Sequence, residues 1–176
     1  MAKFSEDTYD LALRLIKRYP EGKQKSALIP ILHLAQAEFG GWLSAEVMDY
    51  VASILNIKPI EVYEVASFYS MFNLKPVGKC LIEVCRTAPC WLKGSEDITQ
   101  YIEKKLSIKD GETTKDGMFT LKTVECLGSC GTAPMMQCGH KYYENLTTDS
   151  VDEIISTLKE QNQAQVYVSN DFFREN

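Results

Sequence analysis

Over about the first 70 residues the apolar positions recur at helical spacing. Leu11, Leu13, Leu15 and Ile16 follow Asp7 and Tyr9 without Gly or Pro between them, and Pro20-Glu21-Gly22 ends the run. From Lys23 to Phe39, the residues Leu28, Ile29, Ile31, Leu32, Leu34 and Ala35 form a broad apolar stripe that Gly40-Gly41 stops. Pro30 inside the stripe either kinks that helix or marks its first turn. Ser44 is placed to cap a third helix through Val47, Val51, Ile54 and Leu55, and Pro59 to open a fourth through Val62, Val65 and Phe68. Four short helices with short connections predict a small bundle over residues 1–75.

After Lys75-Pro76-Val77-Gly78 the period changes from helical to alternating. Cys80, Ile82 and Val84 alternate with Leu81, Glu83 and Cys85, which is strand spacing. Ser95 to Leu106 reads as a helix, with Ser95 as its cap, Glu96 and Asp97 in its first turn, and Ile98, Ile102 and Leu106 on one face. Asp116-Gly117 turns into a strand from Met118 to Val124, and Met135–Cys138 and Lys141–Tyr143 flank the hairpin signal Gly139-His140. A last helix starts near Thr147 to Ser150, where Ser150 and Glu153 can form a capping box ahead of Val151, Ile154, Ile155 and Leu158. Strand, helix, strand, strand, helix over residues 76–162 predicts a small α/β (α+β) layer with helices on a sheet, as in thioredoxin-like folds. Residues 163–176 form a polar C-terminal tail with a few aromatics: Val166, Tyr167 and Val168 are β-prone, and Phe172-Phe173 follow.

Composition narrows the class. Among 176 residues, ten Gly and six Pro are too few for a collagen-like or disordered chain, and no apolar run approaches the roughly 18 residues of a membrane span. A net charge of −5 argues against a nucleic-acid binder. The polar start, Met1-Ala-Lys-Phe-Ser-Glu-Asp-Thr8, lacks a signal-peptide core, so the expected location is the cytoplasm.

In a reducing compartment six cysteines point to metal or redox chemistry rather than to disulfides. Two close pairs stand out, Cys85-Arg-Thr-Ala-Pro-Cys90 and Cys126-Leu-Gly-Ser-Cys130, with 35 residues between them. Each pair can present two thiolates to one ion or cluster. Cys80 shares a strand face with Ile82 and Val84, opposite to Cys85, and reads as a core cysteine. Cys138, beside Gly139 in a turn, is either a rival ligand, an exposed thiol or incidental, and the last is the expectation. Gly128, Gly131 and Gly131-Thr-Ala-Pro134 can aim peptide N–H groups inward, and Pro89 stiffens the first loop, which would offset the formal charge of about −2 on a thiolate-bound [2Fe–2S] cluster. Zinc also accepts four cysteines, although its usual signature is the tighter C-x₂-C, so both metals remain open on spacing alone. A C-x-x-C thiol redox centre is not present. His33 lies in an apolar stripe and His140 in a turn, so neither reads as a ligand, and no phosphate loop, dinucleotide fingerprint or Ser/His/Asp arrangement occurs. No catalytic residue is expected.

The cysteine pairs lie in surroundings that are more specific than their spacing: Ala66-Ser-Phe-Tyr-Ser-Met-Phe72, Asp116-Gly-Met-Phe-Thr120 and Val124-Glu-Cys-Leu-Gly-Ser-Cys-Gly-Thr-Ala-Pro-Met135. From about residue 10 to about residue 160 the chain resembles the thioredoxin-like [2Fe–2S] subunit of respiratory complex I, the E-subunit family of NADH dehydrogenase. The resemblance implies an N-terminal helical bundle followed by a thioredoxin-like ferredoxin domain, with Cys85, Cys90, Cys126 and Cys130 as ligands of a [2Fe–2S] cluster. It implies a component of an NADH:quinone oxidoreductase, packed against a flavoprotein subunit that binds NADH and FMN and against other complex I subunits, peripheral on the cytoplasmic side of the inner membrane. The chain alone is expected not to oxidise NADH, and the bundle and tail to serve assembly, with the tail covered by the flavoprotein. The same module in NAD-linked hydrogenases and formate dehydrogenases is the alternative within redox chemistry, and a zinc-stabilised binding module the alternative outside it.

Overall fold

The computed structural model describes residues 2–161, so the expectations for the tail lie outside the described residues. The chain divides at Pro76 and Val77 into two units.

The first unit is helical. Helix α1 spans Glu6–Ile16, α2 Leu28–Glu38, α3 Ala45–Leu55 and α4 Pro59–Phe68. Ser5 and Ser44 cap α1 and α3 by accepting the N–H groups of Thr8 at 3.4 Å and Val47 at 3.2 Å. Glu61 accepts the Lys58 N–H at 2.9 Å and so closes the start of α4. Pro30 falls in the first turn of α2, where its missing N–H costs nothing, and the residues before it, Gln24–Ala27, form a separate 3₁₀ turn rather than a kinked extension. Leu11, Leu15, Ile31, Leu32, Leu34, Val51, Leu55 and Val62 are buried together. Each such side chain contributes about 1.5–3 kcal/mol, so packing outweighs the marginal stability of isolated helices of this length. A buried polar tie crosses this core: Gln36 accepts the Asn73 N–H at 2.7 Å and donates to the Met71 carbonyl at 3.0 Å. The His33 ring meets that of Phe72 at a tilt of 49°, with centroids 4.9 Å apart, and burial holds its imidazole below the ordinary value.

The second unit is a four-stranded sheet in the order β2-β1-β3-β4, with β1 at Cys80–Cys85, β2 at Phe119–Val124, β3 at Met136–Cys138 and β4 at Lys141–Tyr143. β1 and β2 are parallel and joined by a helical crossover, whereas β3 runs antiparallel to both β1 and β4. The crossover carries α5, Ala88–Leu92, and α6, Ser95–Leu106; α7 spans Thr148–Gln161. Ile98 and Ile102 from α6 and Val151, Ile155 and Leu158 from α7 pack with Cys80, Ile82, Val84, Phe119, Leu121, Met136 and Cys138 from one face of the sheet. Tyr101 and Lys105 both donate to Asp152, at 2.7 and 2.5 Å, and so tie α6 to α7.

Two caps differ from the sequence expectation. Gly94, at φ +88°, rather than Ser95, is the residue preceding α6, and Ser95 is buried as its first residue. At α7 the reciprocal cap lies one turn early, with Thr147 Oγ1 accepting the Ser150 N–H at 3.1 Å and Ser150 Oγ accepting the Thr147 N–H at 2.9 Å.

Candidate functional site

The parallel strands β1 and β2 end side by side, with Cys85 opposite Val124 and the Arg86 N–H donating to the Val124 carbonyl at 3.0 Å. Ligands of open α/β sheets lie beyond such carboxyl ends. Cys85 closes β1, Cys90 follows on α5, and Cys126 and Cys130 lie on the loop that leaves β2. The sequence pairs thus converge at one end of the sheet.

The site is asymmetric. Cys85 and Cys90 are each 1% exposed and pack with the buried Met135 under Leu127 and Ala133. Cys126 and Cys130 are exposed, with their sulfurs 3.7 Å apart. None of the six cysteines is in a disulfide. Among the described residues no three Cys, His, Asp or Glu side chains gather around one point as a single-ion site.

Main-chain N–H groups surround the sulfurs. Gly128, at φ +86°, donates to Cys126 Sγ at 3.4 Å. The N–H groups of Leu127 and Thr87 reach Cys85, and that of Met135 reaches Cys90. Thr87 Oγ1 lies 3.3 Å from Cys85 Sγ. Burial works to raise the Cys85 thiol, but the Thr87 side chain and these N–H groups outweigh it and hold Cys85 below the ordinary thiol value. Burial, together with the contact to Cys85, pushes Cys90 up to about 11, and contact with Cys126 raises Cys130. The N–H donors that thiolates need are in place, and two thiols of one pair that do not readily ionise together suit a cation that takes the place of their protons.

The second loop is anchored from outside. Tyr142 donates to the Leu127 carbonyl at 2.7 Å, Thr132 donates to Glu144 at 2.5 Å, Ser129 also bonds Glu144, and the Asn145 N–H reaches the Thr132 carbonyl at 2.7 Å. None of these partners was visible as such in the sequence, since β4 and the residues after it approach the loop only through the sheet. The Ala133–Pro134 peptide is cis.

Cys80 and Cys138 belong elsewhere. Both are fully buried in the core on the opposite face of the sheet, in contact with each other. Cys80 takes the core position its strand parity indicates. Cys138 is not an exposed turn thiol, because β3 lies between β1 and β4 rather than at an edge. Contact with Cys80, together with burial, raises its thiol far above the ordinary value.

The family model of the thioredoxin-like [2Fe–2S] ferredoxin matches residues 12–159. The E-subunit of NADH-quinone oxidoreductase from Rickettsia conorii is 50% identical over 156 residues, 89% of this chain and 93% of that protein. The chain belongs to the thioredoxin-like [2Fe–2S] ferredoxins, in the E-subunit family of NADH-quinone oxidoreductase. The cofactor of this ferredoxin family is a [2Fe–2S] cluster. A further relative is the mitochondrial NADH dehydrogenase [ubiquinone] flavoprotein 2 of Dictyostelium discoideum, 44% identical over 89% of this chain and 63% of that one. Among solved structures, an NAD+-reducing [NiFe]-hydrogenase in the air-oxidised state aligns with a TM-score of 0.67 at 20% identity, covering 77% of this chain and 23% of that chain. That likeness establishes the shared fold.

Proposed function

We propose that Cys85, Cys90, Cys126 and Cys130 hold one [2Fe–2S] cluster, and that the chain exchanges single electrons with the FMN of a flavoprotein subunit in a respiratory NADH-quinone oxidoreductase. The observation that carries this reading is the meeting of two thiol pairs at the ends of β1 and β2, with N–H groups directed at their sulfurs. Zinc also accepts four cysteines, but the family model matched over residues 12–159 is that of a [2Fe–2S] ferredoxin, which supports a binuclear cluster in which each iron takes two protein sulfurs.

When bound, the cluster takes up and gives back one electron at a time. The chain's own residues then set the direction of exchange. Met135, Leu127 and Ala133 seal the Cys85/Cys90 side from water, while Cys126 and Cys130 remain open to an incoming partner. Trp91 and Leu92, which follow Cys90 directly, are 59% and 75% exposed. Apolar side chains beside an electron-transfer site suit a protein partner that covers them. NADH delivers a two-electron hydride, and the chain has no dinucleotide fingerprint, so the flavin that divides the pair belongs to the partner. Among the described residues no helix is long and apolar enough to cross a membrane; the reading places the chain peripherally, on the cytoplasmic side of the inner membrane with the other subunits.

An equivalent component of an NAD-linked hydrogenase is the second reading, favoured by the fold likeness to the NAD+-reducing [NiFe]-hydrogenase. The test is anaerobic addition of NADH to the chain alone and to the chain co-expressed with an FMN-binding subunit. The cluster should be reduced only in the complex, and Leu92→Glu should weaken co-purification. NADH oxidation or FMN retention by the chain alone, or a complex whose cluster NADH never reduces, would overturn the reading.

A further inference from the structure

We propose that Thr87 tunes the reduction potential of the cluster by donating its side-chain hydroxyl to Cys85 Sγ, an inference that rests on Cys85 being a cluster ligand. Thr87 occupies the residue before α5, with φ −72° and ψ 166°, where a threonine hydroxyl ordinarily accepts a hydrogen bond from the helix start. Here it makes no such bond. Pro89, the second residue of α5, has no N–H to offer, so the hydroxyl loses one of its two usual partners. Its Oγ1 instead faces Cys85 Sγ at 3.3 Å.

Between a thiol and a hydroxyl either group could donate. A metal-bound thiolate carries no hydrogen, so the hydroxyl alone can then supply one. Cys85 is 1% exposed, and a hydroxyl removed from this place is not readily replaced by solvent. Reduction adds one negative charge to the cluster, and a donor on a ligand sulfur stabilises the reduced form more than the oxidised one, which raises the potential. The N–H groups of Leu127, Thr87 and Met135 act in the same sense but belong to the main chain and persist in any side-chain variant. Thr87 is therefore a positioning and tuning residue whose contribution substitution can isolate.

The experiment is an EPR-monitored redox titration of the full-length, cluster-loaded chain with Thr87→Val, which keeps the shape and removes the hydroxyl, and Thr87→Ser, which keeps the hydroxyl. Iron and sulfide content should be unchanged in both. In Thr87→Val the one-electron equilibrium should shift about tenfold toward the oxidised form, a fall of about 59 mV, while Thr87→Ser stays near the wild-type midpoint. Should Thr87→Val fail to load, Thr87→Ala makes the same comparison without a methyl against the sulfur. A hydroxyl-free variant that titrates at the wild-type midpoint, or Thr87→Ser shifting as far as Thr87→Val, would overturn the proposal. Failure of the ligand assignment looks different: Cys85→Ser would keep the wild-type spectrum.

Discussion

Arg86 and Glu125, each adjacent in sequence to a cysteine of the site, clasp one another across the ends of β1 and β2, with Arg86 Nη2 2.8 Å and Nε 3.1 Å from Glu125 Oε1. The pair joins the loop that begins at Cys85 to the loop that begins at Cys126. Their side chains are 61% and 68% exposed, so water and salt screen the attraction. The main-chain bond from Arg86 to Val124 and the strand register already hold the same ends together. Arg86→Ala and Glu125→Ala should therefore load a full complement of iron and sulfide and melt close to the wild type. Loss of the cluster in either variant would mean that the clasp, rather than the sheet, assembles the site.

Gly128 and Gly131 share the second cysteine loop but should respond differently to alanine. Gly128 sits at φ +86°, where an L side chain is strained by about 1–2 kcal/mol even though its Cβ would meet nothing within 4 Å. Gly131 also has open space for a Cβ and lies outside the left-handed region. Gly128→Ala should shorten the lifetime of the cluster in air and lower its thermal transition, and Gly131→Ala should change neither. Equal effects would show that space rather than backbone conformation limits this loop.

Cys138 should matter to the fold and not to the cluster. Cys138→Ala trims one buried atom, whereas Cys138→Ser puts a hydroxyl into an apolar core and should cost about 1–3 kcal/mol in denaturant unfolding. Both variants should retain the wild-type visible spectrum. A bleached Cys138→Ser that remains folded by circular dichroism would return this residue to the ligand set.

Much of this architecture is legible along the chain because it is written locally. Ser44 starts α3 by accepting the N–H of its near neighbour Val47, Pro59 opens α4 through its fixed φ, and alternation along β1 sends Cys80 to one face and Cys85 to the other. What escapes is non-local or short. The five residues of α5 are too few to show a period, so the segment between Cys85 and Cys90 reads as a loop. The burial of Cys138 depends on β3 pairing with β1, and strand order is not encoded in the turn at Gly139 that suggests a surface position. The two cysteine pairs are visible as spacing, but which pair is sealed and which is open follows from the packing of Met135, whose sequence position gives no hint of it.

The helical unit should be sensitive to acid through His33. Burial lowers its imidazole below the ordinary value of 6.5, so the unfolded chain binds the proton first as pH falls. Stability from this group is full above pH 6.5, declines below it, and is lost once the folded imidazole also titrates. His33→Phe, which preserves a ring against Phe72, should remove that decline. Urea unfolding followed across this range should show wild type and variant diverging only below pH 6.5. Parallel curves would mean that other groups carry the acid dependence.

The central claim, that Cys85, Cys90, Cys126 and Cys130 hold one [2Fe–2S] cluster, is tested most directly by iron, zinc and acid-labile sulfide analysis of the anaerobically purified chain together with EPR of the dithionite-reduced sample. The account predicts two irons and two sulfides per chain and a single reduced-state signal. That signal should be lost or strongly altered in Cys85→Ser, Cys90→Ser, Cys126→Ser and Cys130→Ser, and intact in Cys80→Ser. A colourless protein containing one zinc and no sulfide, or a signal that survives serine at any of the four positions unchanged, would contradict it.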